Sequence, residues 1–79
     1  MVSEKQRMQK KIELAKVMYK DGSTHGQVKA VTGLSHEVEY IVNDLGIPTD
    51  LILEKLDQIK EGMKSKELEE LFKNANVSD

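Results

Sequence analysis

Four glycines, each followed within three residues by a side chain that caps helices, divide this chain into short helical segments. The pairs are Gly22 with Thr24, Gly33 with Ser35, Gly46 with Thr49, and Gly62 with Ser65. Glycine takes the left-handed conformation that closes a helix, and Ser or Thr accepts a free N–H at the start of the next one. The apolar residues between these stops lack strand-like alternation, and the only aromatic residues are Tyr19, Tyr40 and Phe72. An all-α fold is therefore predicted.

Five helical segments follow from the spacing. The first runs from about Ser3 to Lys20, with Met8, Ile12, Ala15 and Tyr19 on one face, widened by Leu14 and Met18. Its first turns have little apolar content. The second spans about His25 to Thr32, with Thr24 and Gln27 forming a capping box and Val28 and Val31 as its buried side. The third is capped by Ser35 and runs to about Asp44, with the stripe Val38, Ile41, Val42 and Leu45. Ile47-Pro48 then forces an extended step. The fourth starts after Thr49 or Asp50 and is predicted to reach about Gly62, with Ile52, Leu56, Ile59 and Met63 at spacings of four, three and four. The fifth, about Ser65 to Lys73, presents Leu68, Leu71 and Phe72. Spacing alone leaves open whether the last two are one helix or two. Residues 74–79 read as a loose tail.

The residues Thr24-His25-Gly26-Gln27-Val28-Lys29-Ala30-Val31-Thr32-Gly33-Leu34-Ser35 are similar to the centre of many helix-turn-helix domains. The resemblance is closest to the tri-helical domains of recombinases and sigma factors, and it extends loosely over residues 12–45. Gly33 supplies the turn, Leu34 plugs the space between helices, and Ser35 caps the next one. The resemblance implies a tri-helical unit over about 5–46, followed by a C-terminal helix or helical hairpin over 49–73, in one small domain of residues 1–79. Two residues depart from the pattern. Lys29 stands where the family usually has a small residue, and Glu39 where it has a buried aliphatic one. The apolar stripe itself puts Glu39 outside the core.

Charge separates two functional readings. Residues 1–33 hold seven Lys/Arg against three carboxylates, a net of +4, and residues 34–79 hold five lysines against eleven carboxylates, a net of −6. From Ala30 to Glu54 there is no Lys or Arg. A helix that enters a DNA groove normally brings cations to the phosphates. Here the face expected to be exposed, His36, Glu37, Glu39, Tyr40, Asn43 and Asp44, is acidic around one aromatic residue. That pattern suits a protein partner, itself basic, with Tyr40 as anchor. An adaptor, an antirepressor or an inhibitor of the phage-encoded kind has this character. The alternative is a dimeric DNA-binding regulator. Its Asn43 would read a base, and Lys16, Lys20 and Lys29 would touch phosphate. The stripe Ile52, Leu56, Ile59 and Met63 is either core or a homodimer seam.

Other chemistry finds little support. The chain has no cysteine, and His25 and His36 stand eleven apart, so no metal site is expected. No serine lies in a nucleophile elbow and no glycine-rich loop cradles phosphate. Glu67, Glu69 and Glu70 cluster beside Lys66 and Lys73, which reads as a solvated face. Neither an enzyme nor a cofactor is expected, and no apolar run is long enough to span a bilayer. A cytoplasmic protein is the expectation.

Overall fold

A computed structural model describes residues 3–73 of the 79-residue chain, so the tail expected at 74–79 lies outside the described residues. Every regular element among the described residues is helical. α1 spans Glu4–Lys20, α2 His25–Thr32 and α3 His36–Glu39, which runs directly into a π-turn at Tyr40–Asp44. α4 spans Thr49–Glu54, a 3₁₀ turn covers Leu56–Gln58, and α5 spans Ser65–Lys73. Among the described residues, no helix is long and apolar enough to cross a membrane.

Local chemistry explains most boundaries. Ser3 Oγ accepts the Gln6 N–H at 3.1 Å and Gln6 Oε1 accepts the Ser3 N–H at 3.0 Å, so a capping box closes the apolar-poor start of α1. Thr24 and Gln27 repeat the device on α2. Gly33, at φ +75°, closes α2 with its N–H on the Lys29 carbonyl, and Ser35 Oγ accepts from Val38 N–H at 3.3 Å to start α3. Thr49 and Ser65 are not caps. Each is instead the first residue of its helix, and Glu67 Oε1 accepts the Lys64 N–H in front of α5.

The core joins Ile12 and Ala15 of α1, Val28 of α2, Leu34, Val38, Ile41, Val42, Ile47, Ile52 of α4, and Leu68 and Phe72 of α5. Three expectations change here. Val31 is 61% exposed, and Thr32 is buried in its stead, its hydroxyl donating to the Val28 carbonyl at 2.7 Å. Leu14 is 43% exposed and does not widen the core face of α1. The fourth helix ends at Glu54, eight residues before Gly62. Lys55, at φ −99° and ψ 8°, leaves helical geometry, and its N–H closes α4 on the Leu51 carbonyl. The chain turns at Lys55, with Ile52 fully buried against α1, and Ile59 is extended. The four-residue stripe Ile52, Leu56, Ile59 and Met63 is thus not one helical seam, and α4 and α5 are separate helices.

Candidate partner-binding site

α3 and its π-turn are covered on three sides. Around a helix axis Glu37 and Glu39 flank Val38 at about 100° on either hand. Both flanks are occupied. The Glu37 carboxylate accepts the Gly62 N–H at 2.8 Å from the connection before α5. Glu39 faces His25 at the start of α2, with Oε1 3.7 Å from Nδ1. Glu37 and Glu39 are only 3% and 2% exposed, which removes both from the expected partner surface. Tyr40 is half-buried. Its hydroxyl donates to Glu69 Oε2 at 2.8 Å, because α5 packs against the π-turn. His36, Asn43 and Asp44 remain exposed, with Asn43 Nδ2 on Asp44 Oδ1 at 3.2 Å. The acidic ring expected around Tyr40 is therefore largely spent inside the fold.

The two buried carboxylates differ in electrostatics. The Gly62 hydrogen bond lowers the Glu37 pKa below its ordinary 4.5, outweighing its desolvation. Burial raises that of Glu39, opposed by the charges of His25 and Lys29. Glu39 Oε2 is buried without a hydrogen-bond partner among the described residues. His25 ties this corner together. Its Nδ1 shares a 2.8 Å hydrogen bond with the Tyr19 hydroxyl, and its Nε2 lies 3.8 Å from Asp44. Burial, then the charges of Glu39 and Asp44, push the Tyr19 phenol up to about 12.

Of the cations expected on phosphate, Lys16 and Lys20 line a shallow cleft of about 360 Å³ with Tyr19, Val42, Asn43 and Gly46. Lys29 is not part of that lining; it stands exposed on α2. No group of three or more metal-ligating side chains is gathered among the described residues.

A second concavity lies elsewhere, a groove of about 520 Å³ between the start of α1 and the broken C-terminal end of α4. Its floor is Met8, Val38, Leu53, Leu56 and Ile59. Val38 is buried and the other four are half-buried. Its rim carries Glu4, Glu54, Asp57 and Glu61 against Lys5 and Lys60. Beyond the helix end at Glu54, Leu56 of the 3₁₀ turn and Ile59 line this groove together with Met8 of α1. Two of the four seam residues therefore share a site, while Ile52 is core and Met63 is half-buried, its Sδ accepting the Lys60 N–H. Helical periodicity cannot find such a groove, because beside Met8 and Val38 its floor comes from a helix end, a 3₁₀ turn and an extended residue.

No protein-family model, curated protein or solved structure matches the chain.

Proposed function

We propose that this chain is a small regulatory module that binds a basic, amphipathic segment of a protein partner in the groove between α1 and the α4 end. The observation that carries the reading is the pairing of an apolar floor with an acidic rim. Met8, Leu53, Leu56 and Ile59 offer half-buried surface, and four carboxylates face two lysines around it. A helix with leucines at three-four spacing and lysines on its flanks complements both parts. The module works by occupying its partner's segment, as an adaptor or an inhibitor does.

A fluorescein-labelled synthetic helix of that composition is the probe, and the same helix with glutamates for lysines is the control. The lysine-flanked helix binds and the control does not. The combined reversal Glu54→Lys, Asp57→Lys and Glu61→Lys abolishes binding. All three side chains are exposed, so circular dichroism of the variant stays helical. Equal binding of both helices, or unchanged binding by the variant, overturns the reading.

One observation favours the DNA alternative, namely that Lys16, Lys20 and Asn43 line one cleft. Against it stand the cation-free run from Ala30 to Glu54 and the packing of α5 beside Tyr40. A fluorescein-labelled duplex tests it. Binding that survives physiological salt and depends on Asn43 replaces the groove reading with this one.

A further inference from the structure

The outer face of α1 carries a stripe that the core does not use. Leu14 is 43% exposed and Val17 63%, and both lie opposite the buried Ile12 and Ala15. Exposed Lys10 and Asp21 extend the stripe in the two directions. At 100° per residue, Lys10, Leu14, Val17 and Asp21 fall within about 60° of one another, at spacings of four, three and four. Neither Lys10 nor Asp21 has an ion-pair partner within 4.0 Å among the described residues; the pairs at that distance involve His25 and His36.

We propose that this stripe is a self-association surface, occupied by α1 of a second copy in antiparallel register. The stripe is complementary to its own reverse, with a cation at one end, an anion at the other and aliphatic residues between them. Lys10 and Asp21 are equidistant from its middle, and so are Leu14 and Val17. A two-fold axis between Ala15 and Lys16 brings each Lys10 to the partner's Asp21 and encloses four apolar side chains. Asp21, which caps α1, lies eleven positions beyond Lys10, about 16 Å along the helix axis, so the two cannot satisfy each other within the chain. A parallel pairing would set Lys10 on Lys10 and Asp21 on Asp21, so charge selects the antiparallel one. In a two-fold pair the same patch serves both copies, as a closed dimer requires. One helix per side is a small contact, below the roughly 1,200 Å² of stable interfaces, so the dimer is weak and reversible. The groove reading is independent of it, because none of these four residues lines the groove.

The test is sedimentation equilibrium on the full chain over a wide concentration range, with variants that swap the charges. The wild type shows concentration-dependent dimerisation. Lys10→Glu and Asp21→Lys each weaken it by about tenfold, because every dimer loses two attractive pairs and gains two repulsive ones. The double variant K10E/D21K restores it, and Leu14→Glu abolishes it. These side chains are exposed, so the circular dichroism spectra stay unchanged. A wild-type chain that is monomeric throughout, a double swap that fails to restore dimerisation, or a Leu14→Glu chain that still dimerises overturns the proposal.

Discussion

Glu37 and Gly62 are joined across 25 residues of chain by a 2.8 Å hydrogen bond from the backbone N–H to a carboxylate that is only 3% exposed. The bond fastens α3 to the connection before α5. Replacing Glu37 by alanine leaves the Gly62 N–H without its acceptor and should cost about 1–2 kcal/mol in urea unfolding. The pH dependence follows from the lowered pKa. A carboxylate with a folded pKa below its unfolded value stabilises fully above the unfolded pKa and less as pH falls through the folded one. Wild type should therefore lose stability below about pH 4.5, and the loss should be smaller in Glu37→Ala.

Glu39 sits two residues away and acts in the opposite sense. Burial raises its pKa, and Oε2 lacks a partner among the described residues. A group with a raised folded pKa contributes stability that is present below the unfolded pKa and lost as pH rises through the folded one. Glu39→Met, close in volume and without charge, should raise stability at neutral pH by about 1 kcal/mol or more. The gain should shrink on acidification. A neutral-pH melt in which Glu39→Met is less stable than wild type would mean that the contact with His25 outweighs desolvation.

These two residues also mark how far the sequence is legible. Apolar periodicity places Val38, Ile41 and Val42 inside, because a stripe at helical spacing needs only one packing partner. It leaves Glu37 and Glu39 outside, because residue type alone says that carboxylates prefer water. What reverses this is the number of neighbours around α3. Cap and glycine signals locate Gly33 and Ser35 well, since those depend on nearby residues. Contacts from Gly62, His25 and Glu69 come from other segments, and no local pattern announces them. The helix end at Glu54 escaped for a related reason. The four-three-four repeat continues in sequence past Lys55, where the backbone has already left the helix.

The former seam should separate in an alanine series. Ile52 is fully buried against α1, so Ile52→Ala should cost about 2–5 kcal/mol. Leu56 and Ile59 are half-buried on the groove floor, and their alanine variants should each cost clearly less while weakening the lysine-flanked helix. Chemical denaturation ranks the three. Equal costs at all positions would mean that the groove floor is core.

Tyr40 separates the groove from the face around the π-turn as the binding site. Its hydroxyl donates to Glu69, a bond that raises the phenol pKa, and Tyr40 does not line the groove. Tyr40→Phe removes that hydroxyl and keeps the ring. If the groove is the site, Tyr40→Phe and Tyr40→Ala should bind the lysine-flanked helix as wild type does, while Asp57→Lys should weaken it. If Tyr40 is instead a buried anchor, Tyr40→Ala should reduce binding by about 2 kcal/mol or more, roughly thirtyfold, with Asp57→Lys near neutral. Fluorescence anisotropy on the four proteins distinguishes these patterns. Tyr40→Ala loosens the contact between the π-turn and α5, so its helicity is measured alongside. A folded Tyr40→Ala chain that no longer binds moves the site back to the π-turn.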